Sequence, residues 1–131
     1  MSDKKKVMVV DDHDSMRSFA ETVLRGAGYE TMGFDSAEKA KESWHGYNPD
    51  VVLTDYKMPG MDGYQLAESL IFDGYRGKKV LMSGNPGEMY ENHPEVKGLF
   101  DVYFDGFVEK PFTADQLLDE LARVLGELQS Q

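Results

Sequence analysis

The chain has 131 residues, 40% hydrophobic and 29% charged, which suits one globular domain with a real core. Fourteen Lys and Arg against 24 Asp and Glu leave a formal net charge of −10, which argues against nonspecific binding to nucleic acid or to an anionic membrane surface. There is no cysteine, so a disulfide framework, a thiol nucleophile and a thiolate metal site are excluded.

The start, Met1-Ser2-Asp3-Lys4-Lys5-Lys6, is basic. Asp11 and Asp12 soon interrupt the apolar stretch after it, so it does not read as a secretory signal. The lysines read as a solvated tail. No apolar run reaches bilayer-spanning length, and cytoplasmic residence is the expectation. Strand one is expected at about 6–10, where a near-continuous apolar run suits a strand covered on both faces. Helix one follows, with Met16, Phe19, Ala20, Val23, Leu24 and Ala27 at helical spacing. Asp14 or Ser15 would cap its start and Gly28 would stop it. Strand two is weaker, at about 29–34. Ser36 is the expected cap of helix two, whose face is Ala37, Ala40 and Trp44, and Asn48-Pro49 ends that segment. Strand three lies at about 50–54.

Pro59, Gly60 and Gly63 then make a tight loop. Asp62 with Gln65 resembles a capping box for helix three, whose face is Leu66, Ala67, Leu70 and Ile71. Gly74 and Gly77 lead into strand four, Val80-Leu81-Met82. Between 84 and 105, Pro86, Gly87, Pro94 and Gly98 would break any long helix, so one short or interrupted helix is expected. Strand five is expected at about 106–109. The last helix opens with Thr113 and Gln116 as a capping box and continues through Leu117, Leu118, Leu121, Val124, Leu125 and Leu128. Short apolar runs alternating with helical stripes give an α/β fold with a parallel sheet. Nothing is left over for a second domain, and no internal repeat is visible.

Asp11, Asp12, Asp55, Ser83 and Lys110 all fall at the carboxyl ends of expected strands. That is the edge where an open parallel sheet binds its ligands. Singly, each has an ordinary reading as a cap or a turn residue; jointly they suggest one site. Two carboxylates about 4 Å apart repel by roughly 4 kcal/mol at an effective dielectric near 20. Such a cluster needs a cation, a lysine or raised pKa values. Mg²⁺ suits an all-oxygen ligand set, and Mn²⁺ is the alternative. His13 adjoins the acids but has no partner histidine at ligand spacing, so an exposed loop role is favoured over metal ligation. His45 and His93 read as solvated.

Four segments now combine: Val9-Val10-Asp11-Asp12; Asp50-Val51-Val52-Leu53-Thr54-Asp55-Tyr56-Lys57-Met58-Pro59-Gly60-Met61-Asp62-Gly63; Val80-Leu81-Met82-Ser83-Gly84; and Val108-Glu109-Lys110-Pro111-Phe112. In this order they resemble the receiver domain of two-component response regulators, over residues 6 to about 126. The resemblance implies a flavodoxin-like (βα)5 three-layer sandwich with strand order 2-1-3-4-5, as a single receiver domain over 1–131 with no output domain. It implies that Asp55 takes a phosphoryl group from the phosphohistidine of a sensor histidine kinase or a phosphotransfer protein. Asp12 and Asp55 would bind Mg²⁺ directly, Asp11 mainly through water, and the Lys57 backbone carbonyl would be the third protein ligand. Lys110 would pair with the acids and then with the phosphoryl oxygens, and Ser83 would donate a hydroxyl hydrogen bond to them. The Lys110–Pro111 bond is similar to one the family holds in cis.

Phe107 occupies the family's aromatic switch position, or is an ordinary core aromatic of strand five. Lys57 and Asn85 match positions that tune acyl-phosphate lifetime. Output would pass to a protein target through the face of helix four, strand five and helix five, with no nucleic acid and no membrane involved. The chain would be a self-modifying phosphoacceptor, not an enzyme with a separate product. The alternatives are a Mg²⁺-dependent small-molecule phosphohydrolase and an unphosphorylated interaction scaffold. Three departures from the family's common pattern stand out. Ser83 replaces the commoner Thr, Phe107 lacks a phenolic hydroxyl, and the interval between Ser83 and Lys110 is longer and carries Tyr90, Phe100, Tyr103 and Phe104.

Overall fold

The computed structural model describes residues 4–127. Five parallel strands stand in the order β2-β1-β3-β4-β5: β1 Lys6–Val10, β2 Glu30–Phe34, β3 Val51–Asp55, β4 Lys78–Ser83 and β5 Gly106–Glu109. Helices α1 (Asp14–Gly26), α2 (Ala37–Tyr47), α3 (Gly63–Phe72) and α6 (Ala114–Val124) connect and cover them. Every residue of β3, and four of the five in β1, is buried. That is the expected state of central strands clad by helices on both faces, and it explains their unbroken apolar runs.

One face of the sheet packs Val7, Val9, Leu53 and Val80 against Ala20 and Leu24 of α1 and Leu117 and Leu121 of α6. The other packs Met8, Val10 and Val52 against Ala40, Trp44, Leu66 and Leu70 of α2 and α3. A third cluster, with Tyr56, Tyr64, Leu81, Met89, Val96 and Phe104, lies under the segment after β4.

Local signals account for most of the element ends. Ser36 Oγ accepts the Lys39 N–H, and Asp62/Gln65 and Thr113/Gln116 both form complete capping boxes. Gly28 takes φ +98° after α1, and Asn48 takes the left-handed conformation after α2. At Gly63 an added Cβ would meet the Asp55 carbonyl oxygen and lie 3.0 Å from Tyr56 Cα. The loop after β3 can therefore fold back on that strand only through a residue without a side chain.

Several expectations need correction. Neither Asp14 nor Ser15 caps α1: Asp14 is its first residue, and His13 is the N-cap, with no side-chain cap hydrogen bond. Ile71, expected on the buried face of α3, is 41% exposed. Leu128, expected on the last helix, lies outside the described residues, and α6 ends at Val124. The 84–105 segment holds three short pieces: α4 (Glu88–Asn92), a 3-10 turn (Pro94–Val96) and α5 (Phe100–Tyr103). The fifth helix of the sequence reading is thus α6.

His93 is not solvated. Its side chain is 16% exposed, and Nε2 lies 2.7 Å from Asp62 Oδ2. Its ring rests on Tyr64, with centroids 4.6 Å apart. A histidine gives no sequence signal of burial when its partner is 31 residues away. His45 is exposed, as expected, and stacks on Trp44.

A candidate phosphoryl and metal centre

The carboxyl ends of β1, β3 and β5 converge because register holds them level. Val10 pairs with Thr54, Asp55 with Met82, and Ser83 with Glu109. Asp11 therefore leaves β1 beside Asp55, while Lys110 leaves β5 next to Ser83 and donates its backbone N–H to the Ser83 carbonyl at 2.9 Å. The Lys110–Pro111 bond is cis.

Lys110 Nζ reaches across the sheet edge, 2.9 Å from Asp11 Oδ2 and 3.1 Å from Asp55 Oδ1. Asp11 is fully buried and Asp55 is 6% exposed. Burial, and then the Asp11 charge, push the Asp55 carboxyl above the usual carboxylate range, with Lys110 opposing them. Burial works against the charge on Lys110, but the hydrogen bond to Asp11 and the charges of Asp55 and Asp11 outweigh it and hold the ammonium above its ordinary value. The Tyr56 N–H also donates to Asp55 Oδ1, at 3.0 Å.

Asp12 lies on the outer side. Its Oδ1 is shielded from solvent yet accepts no hydrogen bond, a costly state for a carboxylate oxygen unless a cation completes it. Asp11, Asp12, His13 and Asp55 each offer a ligand atom, all within 4.8 Å of one another, so the group could hold a metal ion. The oxygen donors suit a hard divalent cation, and the residues present fit one.

Ser83, 5% exposed, accepts the Asn85 N–H through Oγ at 3.0 Å. Lys57 and Asn85 are exposed, and Lys57 Nζ lies 3.8 Å from Glu88 of α4. Phe107 lies near the start of β5, three residues before Lys110 and opposite Leu81. It packs edge-on to Phe100 and lines a 230 Å³ apolar cavity with Leu81, Pro86, Met89, Tyr90 and Phe100. Tyr90, Phe100, Tyr103 and Phe104, singled out in the long interval, all belong to the cluster beneath this segment.

One neighbour escaped the sequence reading, and a second was placed beside the acids without its contacts. Arg17 Nη1 donates to the Asp11 carbonyl at 2.7 Å, a contact no spacing rule announces. His13 Nδ1 lies 3.4 Å from both Asp11 Oδ1 and Asp12 Oδ1, which only its adjacency to the acids hinted at.

Comparison with known proteins agrees with this architecture. The model of the response regulator receiver domain family matches residues 7–122. Protein PilG of Pseudomonas aeruginosa is 30% identical, over 89% of this chain and 84% of that protein. The probable transcriptional regulator ycf27 of Guillardia theta is 32% identical over 93% of this chain, which spans only 46% of that relative's length. Among solved structures, the Vibrio cholerae chemotaxis protein CheY4 matches with a TM-score of 0.79 and 28% identity, over 92% of this chain and 98% of that one. The resemblance read from four short segments thus holds across the described fold, and the chain belongs to the response regulator receiver domain family.

Proposed function

We propose that this chain is a single receiver domain that accepts a phosphoryl group on Asp55 from a phosphohistidine of a sensor kinase or phosphotransfer protein. The observation that carries the reading is the Lys110 ammonium within 3.1 Å of both Asp55 and Asp11, beside the shielded Asp12 oxygen that accepts no hydrogen bond. An Asp55 carboxylate oxygen attacks phosphorus as the phosphorus–nitrogen bond breaks, and the electron pair stays on the imidazole, which takes a proton from solvent. Phosphoryl transfer asks little of a protein beyond positioning and charge neutralisation, and this site supplies both.

Asp11, Asp12 and Asp55 would hold a divalent cation together with the Lys57 carbonyl. Mg²⁺, or Mn²⁺ in its place, would offset the charge on the phosphoryl oxygens. Lys110 would release Asp55 and pair with those oxygens. Ser83 would turn its hydroxyl to donate to them, giving up the Asn85 N–H. Lys57 and Asn85 would set the lifetime of the acyl phosphate from the mouth of the site.

The added charge would bias a pre-existing equilibrium. Ser83 and Phe107 would transmit it to α4, β5 and α6, the face offered to a downstream protein. The cavity between Leu81, Phe100 and Phe107 supports this by leaving Phe107 room to move. No helix among the described residues is long and apolar enough to cross a membrane. Intact-mass measurement after treatment with a phosphoramidate and Mg²⁺ tests the proposal. A gain of one phosphoryl group, lost in Asp55→Asn and without Mg²⁺, is expected. No gain, or a gain that survives Asp55→Asn, overturns it.

A further inference from the structure

His13 is the one nitrogen donor among the described residues grouped at this centre, and the acids around it leave a place for it. Its Nδ1 is 3.4 Å from Asp11 Oδ1 and 3.4 Å from Asp12 Oδ1. Neighbouring ligands on an octahedral ion with bonds near 2.1 Å stand roughly 3 Å apart. The ring thus sits about where a cis ligand to the shielded Asp12 oxygen would sit. Its backbone N–H is fixed by Asp11 Oδ1 at 2.9 Å, while the side chain is 69% exposed. It can therefore swing between solvent and the centre at little cost in packing.

From this geometry we infer that His13 is an auxiliary ligand that shifts the centre's preference from Mg²⁺ toward first-row divalent ions that accept imidazole. Mg²⁺ takes oxygen donors and keeps its water, whereas Ni²⁺ and Zn²⁺ bind imidazole nitrogen readily. With Mg²⁺ the ring stays outside the coordination shell. With a nitrogen-accepting ion it replaces one of the bound waters. The inference rests on the proposed metal centre and adds to it a specificity residue outside the oxygen set.

The experiment titrates Mg²⁺ and Ni²⁺ separately into the untagged chain by calorimetry, at one fixed pH. All variants carry His45→Ala, so that the exposed imidazole at position 45 does not report. His13→Ala is expected to fold, because the ring caps nothing in α1. It should lower Ni²⁺ affinity on the order of tenfold, the low end of losses seen when groups supporting a metal are removed, and leave Mg²⁺ affinity unchanged. Nitrogen-15 spectra with diamagnetic Zn²⁺ should show the His13 Nδ1 resonance shifting with metal. Equal changes for both ions, or a His13 ring that does not respond, overturn the inference. Asp12→Asn separates this from failure of the site itself. If that variant binds Mg²⁺ as well as the parent does, the metal centre is misplaced and both readings fall.

Discussion

The Lys110 ammonium is the residue on which the resting site depends. Among the described residues it alone stands within 3.1 Å of two carboxylates, one fully buried and one nearly so. Lys110→Ala leaves both acids without that counter-charge. We expect a loss of roughly 3 kcal/mol, toward the low end for breaking a buried pair because the lysine is partly exposed. Urea denaturation in a chelator measures it, and added Mg²⁺ should recover part of the loss. An unchanged midpoint would show that the acids are neutralised some other way. Asp55 gives the matching pH dependence. Its carboxyl is raised in the fold by burial and by Asp11, so the protonated form favours folding. That contribution is fully present below the ordinary aspartate range and is lost as pH rises through the folded value. The metal-free chain should therefore gain stability through this group on mild acidification. Asp55→Asn should remove that part of the slope, and parallel pH profiles for the two proteins would contradict the assignment.

Helix α3 and the broken segment after β4 are tied by ring contacts on Tyr64 and by one ion pair. Asp62 caps α3 through the Gln65 N–H and also lies 2.7 Å from His93 Nε2. His93→Ala should cost about 1–3 kcal/mol. Asp62→Ala should cost more, since it removes the cap as well. A double-mutant cycle on urea midpoints should return a coupling of at least about 0.5 kcal/mol, and additive losses would remove the link. This pair also marks the limit of what the sequence could reveal. β1 and β3 were legible because burial on both sides writes an unbroken apolar run. The capping boxes at Asp62 and Thr113 were legible because the cap and its partner are three residues apart. The site acids and Lys110 could be aligned for a related reason: each closes such a run. Contacts made by long-range packing left no such mark. His93 against Asp62, Arg17 on the Asp11 carbonyl and the place of His13 depend on how the loops fold over the sheet edge. The α1 cap was misread because Asp14, a good cap by residue type, lies inside the helix.

At the scale of the whole molecule, the sheet has an open edge at β5, and α6 guards it. Glu120 accepts the Phe107 N–H at 2.9 Å, and Arg123 donates to the Asp105 carbonyl at 3.0 Å. An unpaired strand edge invites another chain, so replacing both side chains with alanine should promote self-association, read as added mass by light scattering. A strictly monomeric variant would show that the edge is protected in some other way. The Arg123 hydrogen bond, with help from the Phe107 N–H, holds the Glu120 carboxyl below its ordinary value. This contribution is present above the ordinary glutamate range and fades as pH falls through the folded value. The segment from Glu88 to Tyr103 has a different weakness. None of its helical pieces exceeds five residues, too short to persist alone. Its order is borrowed from the rings beneath it, from Tyr56 and Tyr64 to Phe104. Amide protons there should trade with deuterium well before those of β1 and β3. Trimming Phe104 to alanine should hasten that trade locally, so that a single ring sets how long the surface above it keeps its shape.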